Sequence, residues 1–200
     1  MNAHFYKVAL HVLQVNLPET LPAEKIIPSF SPFASEEEGS VLLRMDVEVG
    51  PRQAFDELDE VGQFDCGGAN HGVYQLPDGG YLFEISLPGE HAPLACQLRA
   101  NADFSLCRAI VMEGSLLQQG FGLNNALMMA YAFAAAPAAT LLIHASVIRH
   151  DGYGYLFTAP SGTGKSTHTH LWYQHIPGCD LMNDDNPVVR IVDGQTRVYG

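Results

Sequence analysis

The run Ala159-Pro160-Ser161-Gly162-Thr163-Gly164-Lys165-Ser166-Thr167 follows the Walker A order: a small residue, four variable ones, then Gly-Lys-Ser. Each part has a physical task. Gly162 and Gly164 permit backbone angles that turn successive N–H groups inward around a phosphate. A helix opening after the loop adds unpaired N–H donors and the positive end of its dipole. Lys165 can reach the β- and γ-phosphates as a mobile point charge, and the Ser166 hydroxyl is placed to ligate Mg²⁺. Ser161, Thr163 and Thr167 complete the expected nucleotide-binding set. Downstream, Asp184 and Asp185 close a short apolar segment, where a Walker B carboxylate would lie. Asp-Asp-Asn-Pro is also ordinary turn chemistry ahead of Pro187; the position after the Lys165 loop favours a part in the chemistry. His144 stands in an apolar run, either as a hydrogen-bonded core residue or as a group facing the site.

These residues need elements to hold them. Residues 141–148 read as a strand, His150-Asp151-Gly152 as a turn, and 153–158 as a second strand feeding the loop. A helix follows to about Tyr173, then a strand over 179–183 and a closing hairpin over 188–199. In most phosphate-loop NTPases the loop strand belongs to a parallel sheet wound through crossover helices. Here the turn at Asp151-Gly152 is so short that the loop strand must run antiparallel to the strand before it.

A phosphate loop fed by a hairpin, with His144 ahead of it, the run from Ser161 to Thr167 within it and Asn183-Asp184-Asp185 behind it, resembles the nucleotide-binding core shared by HPr kinase/phosphorylase and the phosphoenolpyruvate carboxykinases. His144 stands at the distance from Lys165 that the strand histidine has in HPr kinases. The likeness is strongest to HPr-kinase-like serine kinases and covers about residues 141–190. One local difference is Thr167-His168-Thr169-His170, where HPr kinases carry Glu soon after the Lys-Ser pair.

The resemblance implies an ATP-dependent kinase that transfers a phosphoryl group, with ATP and Mg²⁺ bound, to a hydroxyl of a protein serine or a small molecule. It implies catalytic roles for Asp184, Lys165 and His144, with Asp184 as general base, Asp185 and Ser166 on the metal, and His144 orienting phosphate or carboxylate. It also implies a catalytic domain that continues past Gly200, so the core is expected to be incomplete at its C-terminal end. Two other readings remain open: a nucleotide-binding regulatory module without turnover, and a carboxykinase-like enzyme acting on a small carboxylic acid.

The remainder of the chain carries no motif of this kind. Residues 1–115 read as a β-rich module: a strand over 6–15, a Pro-punctuated loop, a strand over 41–49, a hairpin around Pro77-Asp78-Gly79-Gly80, and two strands within 93–112. Residues 115–136 predict a helix whose apolar face is Leu116, Leu117, Phe121, Leu123, Leu127, Met128, Tyr131 and Phe133, stopped by Pro137. The expected fold is therefore α+β: a β-rich module over 1–115, then over 116–200 a central helix and a carboxykinase-like phosphate-loop core. With 22 acidic residues against 10 Lys and Arg, the formal charge of −12 speaks against a nucleic-acid grip or a polybasic membrane anchor. The apolar stretch 126–143 is interrupted by Pro137 and reads as buried helix, break and strand rather than a membrane span. Four cysteines without a CxxC pair fit a reducing compartment, so a cytoplasmic location is expected.

Overall fold

The computed structural model describes residues 1–36, 39–56, 58–65, 68, 70–160 and 162–200. The chain is mixed α+β and strand-rich, with a large mixed sheet. It divides into two compact units, Met1–Ala134 and Ala135–Gly200.

The first unit is built on an eight-stranded sheet in the order β1-β2-β3-β8-β7-β6-β5-β4. β1 (Asn2–Val8) and β2 (His11–Leu17) form a hairpin. β3 (Val41–Val49) lies parallel to both β2 and β8 (Leu106–Val111). The parallel step from β2 to β3 needs a crossover, which carries a short helix α1 (Ala23–Ile26) and a 3-10 helix (Pro28–Phe33). β4 (Asp59–Asp65), β5 (Asn70–Gln75), β6 (Tyr81–Ser86), β7 (Leu94–Ala100) and β8 form an antiparallel meander. Alternation sets the faces: Leu43, Met45 and Val47 of β3 are buried, while Arg44 and Asp46 are exposed. The polar face is laced by pairs across strands, including Arg108–Glu48 at 2.8 Å and Asn16–Asp46 at 2.6 Å.

Helix α2 (Leu116–Ala135) covers the apolar face. Its buried stripe is Leu123, Ala126, Leu127, Ala130, Tyr131 and Ala134, a helical spacing. A Cβ at Gly122 would lie 2.9 Å from Cys96 Cβ and 3.0 Å from the Ala95 carbonyl, so only Gly lets the helix approach β7 this closely. This corrects the expected apolar face. Leu123, Leu127 and Tyr131 are buried as expected, Leu116 and Leu117 are exposed, Phe133 is half-exposed and stacks on Phe104 at 4.7 Å, and the small residues Ala126, Ala130 and Ala134 join the buried stripe. The break between the units falls after Ala134 rather than at 115–116, so α2 belongs with the sheet it covers.

Two strand assignments also change. The expected strand over 6–15 is two strands, because Ala9 and Leu10 both take positive φ (46° and 68°) and reverse the chain. β4, rich in acidic and polar residues, was not anticipated; it pairs along β5 at the end of the sheet.

The second unit holds two three-stranded antiparallel sheets, β11-β10-β12 and β14-β13-β9. The elements are β9 (Thr140–Leu142), β10 (Ser146–His150), β11 (Tyr153–Phe157), helix α3 (Lys165–His175), β12 (Asp180–Asn183), β13 (Val188–Val192) and β14 (Gln195–Tyr199). The expected strand over 141–148 is split into β9 and β10, which lie in different sheets. The reason is non-local. β9 pairs with β13 and β10 with β12, and both chains break opposite each other. Across the break Ile143 N–H donates to Pro187 O at 3.1 Å and Ala145 N–H to Asp185 O at 3.0 Å. Among the described residues, no helix is long and apolar enough to cross a membrane.

Candidate functional site

β10 and β11 pair antiparallel from Ser146↔Phe157 to His150↔Tyr153, with Asp151 and Gly152 at positive φ in the turn. A hairpin therefore feeds the loop at 158–164. Gly162 (φ 79°) and Gly164 (φ 96°) occupy the left-handed region, where a Cβ is strained whatever the surrounding space. Thr163 Oγ1 donates to Pro160 O at 2.7 Å and tightens the loop. Ser161 lies outside the described residues.

α3 starts at Lys165 without a side-chain cap, and His168 N–H to Gly164 O (2.9 Å) closes its first turn. The amides of Lys165, Ser166 and Thr167 thus lead the helix ahead of its hydrogen-bonded ladder, which is where an anion binds. Aromatic contacts fasten the helix to the loop strand. Phe157 meets His168 and Trp172 at ring-centroid distances of 4.8 and 5.4 Å, and Tyr155 meets Trp172 at 5.1 Å. The Lys165 ammonium donates to Ala159 O at 2.8 Å, across the loop that it ends.

The carboxylates come from the break after β12. Strand alternation would send neighbours to opposite sides, and β12 ends at Asn183, just before them. Asp184 Oδ1 accepts from Ser166 Oγ at 3.2 Å and from Ser146 Oγ at 2.5 Å. Asp185 turns elsewhere: its Oδ1 lies 3.4 Å from His144 Nδ1, and its N–H donates to Asn183 Oδ1 at 2.8 Å. His144 is not on a strand but in the break between β9 and β10, with its side chain 55% exposed. The expected core alternative for this histidine does not describe it.

Ser166 and Asp184 bring together two hard oxygen donors from the loop helix and the strand end. Mg²⁺ bound to a nucleotide takes one or two protein oxygens and completes its shell with phosphate and water, so this pair fits such an ion. Among the described residues no cluster of three or more His, Cys, Asp or Glu could hold a metal by itself.

Two site residues escaped the sequence reading. Ser146 is fully buried, and Thr169, also buried, lies with its Oγ1 3.1 Å from Ser146 Oγ. Both left faint signals. Ser146 is a polar residue inside an apolar strand, and Thr169 follows Ser166 by one helical turn. Beside them, a cleft of about 450 Å³ is lined by Thr169, His170, Tyr173, Asp180 and Leu181. A hydrogen bond from the Arg149 guanidinium holds the Asp180 carboxyl below the usual carboxylate range.

Comparison with protein-family models, with curated proteins and with solved structures finds no match for the chain.

Proposed function

We propose that residues 135–200 form the nucleotide-binding core of an HPr-kinase-like phosphotransferase, which moves the γ-phosphoryl group of ATP to a hydroxyl. The observation that carries this reading is the Ser166–Asp184 hydrogen bond of 3.2 Å. It joins the end of the phosphate loop to the carboxylates after β12. A phosphate loop alone would serve any nucleotide binder; a loop with a carboxylate pair and a histidine at its rim supplies positioning and charge together.

In this reading the amides opening α3 and Lys165 hold the triphosphate, and Lys165 exchanges Ala159 O for a phosphate oxygen. Ser166 and a neighbouring carboxylate hold Mg²⁺, which neutralises phosphate charge when bound. The acceptor oxygen forms a bond to the γ-phosphorus as the bond to the β–γ bridging oxygen breaks. That electron pair leaves with ADP, and the acceptor's proton passes to a carboxylate of the Asp184–Asp185 pair.

Calorimetry with Mg²⁺ and ATP tests the binding half of the proposal. Lys165→Ala is expected to weaken affinity about 10- to 100-fold, the worth of a charge-assisted contact to phosphate. Wild-type affinity unchanged by the substitution contradicts the assignment. For the transfer half, γ-labelled ATP is supplied with a panel of hydroxyl acceptors. Label on an acceptor supports the kinase; tight binding without transfer to any of them supports the regulatory-module reading instead.

A further inference from the structure

We propose that the first unit carries a binding site for a small zwitterion, an α-amino acid with an apolar side chain, between the β3–β4 connection and the polar face of the sheet. The site is built around the Arg52–Glu84 ion pair and does not depend on the phosphotransferase reading.

Topology creates the site. β3 ends at Val49 and β4 begins at Asp59, yet β8, β7, β6 and β5 lie between them in the sheet. Five strand steps of about 4.8 Å span roughly 24 Å, and residues 50–58 reach about 30 Å when fully extended. The connection is therefore drawn out across the sheet. It crosses the polar face, where Gln97 clips it. Gln53 N–H donates to Gln97 Oε1 at 2.7 Å, and Gln97 Nε2 donates to Gln53 O at 3.0 Å. Phe55 shares a small cavity with Leu82 and Ile110, two buried apolar residues on that face.

Beside the clip lies a cavity of about 270 Å³ whose lining includes Arg52, Phe55, Leu58 and Glu84. Glu84 is 15% exposed and Arg52 65%. Arg52 Nε donates to Glu84 Oε1 at 2.8 Å and Arg52 Nη2 to Oε2 at 3.1 Å; Gln97 Nε2 adds a bond to Oε1 at 3.0 Å. These bonds take three of roughly four acceptor positions on the carboxylate, so Oε2 has room for a further donor. The guanidinium uses one edge of its fork here. Its other edge, Nη1 and the second proton of Nη2, suits a second carboxylate. An anion and a cation held side by side, each with capacity left, match a ligand that carries the opposite charges side by side. An α-amino acid does so: its ammonium meets Glu84 and its carboxylate meets Arg52. Phe55 and Leu58 offer an apolar wall to its side chain. The cavity is at the small end of ligand sites, which fits a molecule of that size.

The energetics point the same way. An ion pair with one exposed partner adds little to stability, and withdrawing the Glu84 carboxylate from water has a cost. Gln97 already holds the connection by two hydrogen bonds. A ligand that engages both charges gives the pair a task that fastening alone does not.

The test is calorimetry of the whole chain with L-leucine, L-isoleucine, L-methionine, L-phenylalanine and glycine, and then with the amide and the N-acetyl derivative of the tightest binder. At least one of the four apolar amino acids is expected to bind, and glycine at least about tenfold more weakly, since it has no side chain to bury. The amide lacks the carboxylate and the N-acetyl derivative lacks the ammonium, so each is expected to lose about 10- to 100-fold. Arg52→Ala and Glu84→Gln are expected to weaken the amino acid by a similar factor, with melting curves showing that each variant is folded. The two derivatives probe both charges on the unaltered protein, so the test stands even if a variant does not fold. No binding of any of the four, equal affinity for glycine or for either derivative, or affinity unchanged in folded Arg52→Ala overturns the proposal. ATP binding tests the phosphotransferase reading separately, and neither result decides the other.

Discussion

Lys165, Ser166 and Asp184 illustrate how a residue's neighbours decide its chemistry, and the cysteines show the converse. Cys96 and Cys107 are buried in the first unit's core, and burial pushes both thiols up to about 12. Almost no thiolate exists there near neutral pH, and thiolate is the reactive form. Cys179 is half-buried; desolvation and then the charges of Asp151 and Asp180 raise its thiol as well. Iodoacetamide at pH 8 is therefore expected to label Cys179 in the native protein, and Cys96 and Cys107 only after denaturation. Mass spectrometry of the peptides checks this, and equal native labelling of all three contradicts the packing described. The residues proposed for the site were visible in the sequence because their signal is local: small and hydroxylated residues around Gly164-Lys165, a carboxylate pair after a short apolar segment. Ser146 was not, since a lone serine in an apolar strand gains meaning only when folding sets it against Asp184.

The elements that were legible are those whose cause is also local. Val41–Val49 alternates, and the turn over Pro77–Gly80 carries its own turn residues. Within that turn the Asp78 carboxyl accepts from Gly80 N–H (2.9 Å) and from Arg99 (2.6 Å). These two bonds, the backbone one first, hold it below its ordinary value of 3.8. The sign follows from linkage: a depressed carboxyl stabilises the fold above its unfolded-state value, and that contribution is lost as pH falls through the folded-state value. The β5–β6 hairpin is thus expected to keep this contact at neutral pH and lose it only in acid. An NMR titration of the Asp78 side chain should give a midpoint under 3.8 that rises in Arg99→Ala; an ordinary midpoint, unmoved by that substitution, contradicts it. Elements with remote causes stayed hidden. Nothing in Ala9-Leu10 announces a reversal, and the run from Thr140 to Ile148 is divided only because its partner chain breaks at Asp184–Pro187. The α2 face was misread because a count of large apolar residues overlooks Gly122, Ala126 and Ala130, which close approach to the sheet requires.

The whole molecule joins two units with different internal logic. The first buries a continuous apolar layer between α2 and one face of an eight-stranded sheet and keeps the other face polar. The second has a thinner core, chiefly Ala145, Val147, Ile148 and Val188, and leaves Leu141, Tyr153, Tyr173, Leu181 and Ile191 exposed. What organises it is the paired break where β9–β10 and β12–β13 change sheets, and the candidate site lies at that break. The chain carries a formal charge of −12, and Lys165 sits at the candidate site as one of its 10 Lys and Arg residues. Backbone amide exchange over the whole chain, with and without saturating Mg²⁺ and ATP, tests this account most directly. It predicts slowed exchange concentrated in residues 162–167 and 183–185, where the loop amides would close on phosphate. Exchange in those segments left unchanged by the nucleotide would contradict it.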